Sequence, residues 1–185
     1  MITNKIDKAI NALKQGQLIA YPTEAVYGLG CDPMQHDAVE RLIKAKQRNP
    51  DKGLILIASK FSQLSPFLVD IDQALVNRAK KTWPGPVTWV WPIKRNTGIS
   101  ALVSGIHQSV AIRVSNHPLV VKLCTEFKGA IVSTSANLEG DDPAKTAQQV
   151  ERVFDKQVQV IIDGQLGELS QPTKIFDVLT EKEIR

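Results

Sequence analysis

The sequence predicts an α/β fold, with one mixed β-sheet and helices packed on it. Three observations carry this. Short apolar runs of strand length alternate along the chain with segments whose apolar residues recur every three to four positions. The link Trp83-Pro84-Gly85-Pro86 is too tight for a helical crossover, so part of the sheet is antiparallel. At 185 residues the chain suits one domain, spanning 1–185, with a full core.

The elements follow in chain order. Asn4 precedes a run that sets Ile6, Ile10 and Leu13 on one helical face, and Gly16 ends it in the left-handed conformation that other residues resist. LIAYPT reads as a strand stopped by Pro22. Asp37 and Glu40 form a capping box ahead of Leu42 and Ile43, which predicts a helix to about Lys46. Residues 53–58 (GLILIA) read as a buried strand, Asp72 to Trp83 as a helix, 87–93 (VTWVWPI) as a strand ended by Pro92, and 109–114 (SVAIRV) as another. Asn116 caps a helix bearing Leu119, Val120 and Leu123, and AIVSTS after it is a short apolar strand. Thr146 and Gln149 make a second capping box before Val150 and Phe154. VQVIID and KIFDVL supply the last two strands.

Hydrophobic residues at 43% and charged residues at 23% are those of an ordinary folded protein. Cys31 and Cys124 lack C-x-x-C spacing, which argues against a disulfide framework or a structural zinc site and for a cytoplasmic setting. His36, His107 and His117 are scattered, without metal-ligand spacing, and suit surface or helix-start positions; no metal site is expected. The first sixteen residues are charged throughout, unlike a signal peptide, and no segment has the apolar length of a membrane span. Charge is uneven: residues 1–138 carry 17 Lys or Arg against 9 Asp or Glu, and residues 139–185 carry 6 against 10. Such a basic segment fits either an anionic partner or a merely solvated face.

Within the basic segment, KQRNPDKG places Lys46, Arg48 and Lys52 just before the apolar run Leu54 to Ile57, where three converging cations suit a polyphosphate. GLGCDP has Pro33 where a dinucleotide fingerprint needs its third glycine, and no P-loop motif occurs. The remaining polar candidates stand at strand ends, where α/β proteins place their chemistry. YPTEAVYG supplies Thr23 and Tyr27, STSAN supplies Ser133, Ser135 and Asn137, and Arg113 lies near the end of SVAIRV. Thr23 also suits a turn cap, Tyr27 a core position, and Ser135 with Asn137 a loop turn. Arg113 is different, because an arginine in an apolar strand needs a partner for its charge.

Taken together, YPTEAVYGLG, the K-x-R of KQRNPDKG, WPGPVT, VAIRV-x-x-HP, STSAN and PTKIFDV occur in the order of the motifs of the YrdC/Sua5 family. The chain resembles that family, in particular its short bacterial members, over residues 20–178. The resemblance implies a twisted mixed sheet around a basic concave cleft, related to the dihydroxybutanone-phosphate synthase fold. It implies synthesis of threonylcarbamoyl-AMP from L-threonine, bicarbonate and ATP for the threonylcarbamoyladenosine of tRNA. By resemblance, Lys46 and Arg48, with catalytic roles, join Lys52, Ser109, Ser135 and Asn137 at the nucleotide. Thr23, Tyr27, Arg113, Ser133 and Thr173 line the threonine side. ATP is a substrate that brings Mg2+ with it, no tightly bound cofactor is implied, and TsaB, TsaD and TsaE are the implied partners. Longer relatives often have a histidine where this chain has Ile57, and carry a further C-terminal domain. A lid here would come from elsewhere, Arg185 being one residue able to reach the nucleotide.

The residue types suit that chemistry on their own account. Every reactant carries an anionic group, so cations and positioned donors matter more than a covalent nucleophile. The main alternative is a module that binds double-stranded RNA or tRNA through the same basic cleft. Another is an unrelated enzyme on the same sheet, such as a sugar-phosphate lyase or a carbamoyl-phosphate-using transferase.

Overall fold

The computed structural model describes residues 1–169 and 173–184. Among the described residues, five helices, α1 (Ile6–Lys14), α2 (His36–Ala45), α3 (Gln73–Lys81), α4 (Pro118–Phe127) and α5 (Ala147–Phe154), flank one mixed sheet of nine strands. The strands are β1 (Ile2–Thr3), β2 (Ile19–Pro22), β3 (Tyr27–Gly30), β4 (Ile55–Ala58), β5 (Val87–Pro92), β6 (Ser109–Val114), β7 (Ile131–Ser135), β8 (Val160–Ile162) and β9 (Lys174–Asp177). Their order across the sheet is β1-β8-β2-β3-β7-β4-β6-β5-β9. The pairs β2–β3, β3–β7, β7–β4 and β5–β6 are antiparallel, and the others are parallel.

Two strands escaped the sequence reading. β1 is two residues long, and β3 (YGLG) is half glycine, which removes the alternation that marks a strand. Capping differs too. The N-cap of α2 is Gln35, so Asp37 falls inside the first turn and the expected Asp37–Glu40 box does not form. The Gln35 amide instead ties this turn to Leu13 O at 3.2 Å and Asp32 Oδ2 at 3.0 Å. His117, not Asn116, is the N-cap of α4, with Pro118 opening the helix. Lys5, not Asn4, precedes α1. The Thr146–Gln149 box is present, and Gly16 has the positive φ (68°) expected of it.

The two faces of the sheet are covered unequally. On one, Leu29, Leu56, Ile112 and Val132 pack beneath Leu42 of α2 and Val150 and Phe154 of α5. On the other, Ile19, Tyr21, Ile57 and Ile131 meet α1 and α4 in a smaller core that includes Leu13, Val120 and Leu123. That second cover stops partway along β7, β4 and β6. Beyond it the register aligns Ser133, Ile55, Ala111, Val90 and Asp177 across five strands, and all five line an open cavity. No helix among the described residues is long and apolar enough to cross a membrane.

Candidate functional site

The cavity, about 580 Å³, lies on this uncovered end of the sheet. Of the residues expected at a site, Thr23, Tyr27, Arg48, Lys52, Ser109, Arg113, Ser133, Ser135 and Thr173 line it, whereas Lys46 and Asn137 do not. Gly28 lies in register with Ser135 on the floor, where a Cβ would stand 3.3 Å from Thr23 Cγ2. Ile57 is fully buried in the smaller core, one alternation below Ile55, and makes no part of the wall. Arg185 lies outside the described residues.

One end of the cavity is cationic. Arg48 and Lys52 belong to the turn between α2 and β4, where Asn49 accepts from Asp51 N at 2.9 Å and opens a short 3-10 turn over Pro50–Lys52. Arg48 Nη2 donates to Gly53 O at 2.9 Å. Lys52 forms a short ion pair with Glu139, whose other oxygen accepts from Asn49 N at 3.1 Å. These donors hold the Glu139 carboxyl below its ordinary range. Lys46 is only 2% exposed. Its Nζ donates to Ser135 O at 2.5 Å and Asn137 O at 2.6 Å, so it staples the K-x-R turn to the STSAN loop from behind the wall. Burial, then the nearby Arg48 charge, push its ammonium down to about 8, with Glu139 opposing them. The Asn137 amide donates to Leu138 O at 2.7 Å and Asp141 O at 2.9 Å, shaping the same loop.

The other end centres on Arg113, 6% exposed, at the seam where the apolar cover stops. It lies in register with Ile57, and its Nη1 donates to Thr173 Oγ1 at 2.8 Å. The partner it requires is Glu24, whose Oε2 lies 3.3 Å from Nη2. Thr23 donates from Oγ1 to Val26 O at 2.7 Å, which makes it a turn residue as well as part of the wall. Ser133 is nearly buried beside the Tyr21 phenol, which burial raises above its ordinary value. Tyr27 is a core residue whose hydroxyl donates to Gly164 O at 3.1 Å.

Sequence reasoning passed over Glu24 and Glu139. The signal for Glu24 lies in the sequence: Arg113 needs an acid, and Glu24 is the acid inside YPTEAVYG. Glu139, two residues past STSAN, counted only as the first charge of the acidic stretch 139–185, because nothing local shows that it faces Lys52. His107 also lines the cavity, while His36 and His117 sit at helix starts.

A bare strand-end face with cations at one end and a held arginine among hydroxyls at the other defines an α/β protein built to hold anionic small molecules. The family model Sua5_yciO_yrdC, described as telomere recombination, matches residues 11–185, and the chain belongs to that family. It is 49% identical over 187 residues to a threonylcarbamoyl-AMP synthase of Vibrio vulnificus (strain YJ016), covering 100% of this chain and 99% of the relative. Among solved structures it is similar to P. abyssi Sua5 complexed with L-threonine, with a TM-score of 0.91 and 30% identity over 99% of this chain. The chain spans 56% of the length of that Sua5. It shares its fold with E. coli YciO, at a TM-score of 0.81 and 23% identity, over 100% of this chain and 94% of that one.

Proposed function

We propose that the protein is a threonylcarbamoyl-AMP synthase that works in this cavity as one YrdC-like domain over residues 1–185. The cavity is the basic concave cleft of a twisted sheet related to the dihydroxybutanone-phosphate synthase fold. The observation that carries the reading is the placement of a cationic end and an arginine–hydroxyl end in one open cavity of small-molecule size. The threonine nitrogen attacks the carbon of bicarbonate, and water leaves to give the N-carboxylate. That carboxylate oxygen attacks the α-phosphorus of ATP, and the bond to pyrophosphate breaks. The product is L-threonylcarbamoyladenylate.

Each step joins anions, so the protein supplies charge and alignment. Arg48 and Lys52 face the triphosphate, which brings Mg2+ as part of the substrate, with Ser109 and Ser135 beside it. Arg113 receives the threonine carboxylate through its planar fork. Thr23, Ser133 and Thr173 offer hydroxyls around it, and Tyr27 adds wall. Lys46 and Asn137 act by holding the STSAN loop against the K-x-R turn. The product serves tRNA threonylcarbamoyladenosine synthesis in the cytoplasm, with TsaB, TsaD and TsaE as partners and TsaD making the final transfer. An RNA-binding module has no need of a buried arginine inside a cavity, because backbone phosphates are met at a surface.

The test is to mix the protein with ATP, L-threonine and bicarbonate and follow pyrophosphate and AMP. Release that requires threonine is expected. Release of equal size without threonine, or none at all, sinks the reading.

A further inference from the structure

A buried arginine on a cavity wall has to be held in place, and the group that holds Arg113 has none of the roles given above. Arg113 lines the cavity. Glu24, its ion-pair partner, is 6% exposed and is not part of the wall, although Thr23 and Ala25 on either side of it are. The carboxylate therefore meets the guanidinium from the protein side, leaving the cavity side for a ligand.

Glu24 is itself anchored twice. Its Oε1 accepts from Ser115 Oγ at 2.5 Å, and the same hydroxyl oxygen accepts from His117 N at 3.1 Å, which joins the carboxylate to the start of α4. Its backbone oxygen accepts from Leu169 N at 3.0 Å, and that of Thr23 accepts from Gly167 N at 2.9 Å. Gly167 packs so closely that a Cβ there would lie 2.8 Å from Glu24 Cα. Oε2 makes no hydrogen bond among the described residues, so its interaction is the ion pair to Arg113. A buried ion pair contributes little net stability, because desolvation of both charges offsets the attraction and an apolar pair of similar volume often does as well. What an apolar pair cannot supply is orientation of a guanidinium.

We propose that Glu24 is a positioning residue for amino-acid recognition: with Ser115 it holds the Arg113 fork in the orientation that receives the substrate carboxylate. The inference rests on the reading of Arg113 as the threonine carboxylate site. It assigns Glu24 no contact with substrate, and it predicts an effect on threonine that ATP does not share.

Steady-state kinetics of the full chain, with threonine and ATP varied separately, test it. Glu24→Gln keeps the volume and the acceptor for Ser115 but removes the charge. Its threonine KM is expected to rise about tenfold, the scale of one hydrogen bond to a charged group, while the ATP KM stays within about twofold. Arg113→Lys already lacks the fork, so adding Glu24→Gln to it should change threonine KM little, giving a non-additive cycle. Should Glu24→Gln fold poorly, Ser115→Ala is expected to move threonine KM the same way by a smaller factor, again sparing ATP. Unchanged threonine KM in both variants, equal rises for both substrates, or an additive cycle would overturn the proposal while leaving the synthase reading standing. Absence of threonine-dependent pyrophosphate release in the unaltered protein would remove the reading and the proposal together.

Discussion

Lys46 stands behind the cavity wall with two carbonyl acceptors, and its proton is held loosely. Its ammonium is pushed down to about 8 from an ordinary 10.5, mainly by burial. Between about 8 and 10.5 the unfolded chain keeps a proton that the folded one has released, so the Lys46 contribution to stability rises with pH through that window and is flat below it. For ATP the expected sign is opposite: with the triphosphate at the Arg48–Lys52 end as proposed, deprotonation would remove positive charge near it and weaken the staple on the STSAN loop. The KM for ATP should therefore rise as pH passes about 8. Lys46→Met should lose that inflection, with a raised KM at every pH. A pH series of ATP KM for the two proteins checks this, and an inflection that survives the substitution excludes Lys46 as its source. The sequence identified the lysine but not its depth, because a cation ending a helix reads as exposed until the loop that covers it is placed.

At the scale of elements, β3 carries the finest steric requirement. Gly28 and Gly30 face the same side of the sheet, but they meet different things. A Cβ at Gly28 would reach Thr23 Cγ2 at 3.3 Å and Ser133 Oγ at 3.5 Å, on the floor of the cavity. At Gly30 it would stand 2.7 Å from Val132 O and 2.9 Å from Tyr21 Cε1, inside packed structure. Gly28→Ala should thus raise threonine KM severalfold with little change in melting temperature. Gly30→Ala should cost roughly 1–3 kcal/mol of stability, as overpacking does. Thermal melts and threonine kinetics on the pair separate the two effects, and equal destabilisation by both would contradict the division of this face into core and cavity. Helices were legible from periodicity and the Thr146–Gln149 box from its spacing. β3 was not, because glycine leaves no pattern of apolar and polar faces.

Over the whole molecule, charge that is segregated along the chain becomes partly neutralised in space. Glu139, the first residue of the acidic stretch, pairs with Lys52 at the cavity mouth, and Glu181 reaches Arg78 at 2.5 Å. The cavity as a whole sets which amino acid is accepted. On the proposed reading, its hydroxyl wall, Thr23, Ser133 and Thr173, would pair with a substrate hydroxyl, while Ala25, Val26 and Ala111, which line the same cavity, would offer apolar surface to a methyl group. Valine would leave buried polar groups unpaired, whereas serine lacks only a methyl group and forfeits roughly 1–3 kcal/mol of contact. Serine should therefore be the leading false substrate, with valine well behind it, and Ser133→Ala should narrow the threonine-to-valine ratio. Pyrophosphate release with each amino acid measures the order. Valine ahead of serine in the unaltered protein would mean that these hydroxyls do not recognise the substrate side chain.

The α/β class, most of the helices and strands, and the residue types of the site in their chain order can all be read along the linear chain. Those properties are local: the repeat of apolar residues, a capping box, or a motif of a few residues is complete within its own stretch of chain. Which end of the sheet stays uncovered, that Lys46 stands behind the wall, and that Glu24 answers the charge of Arg113 emerge from the assembled fold. Those outcomes depend on strand order and register, which bring residues 24, 113, 115 and 173 together from three separate parts of the chain. Periodicity tells each strand which of its faces is apolar, but it carries no record of the strand beside it or of where the helix above it ends.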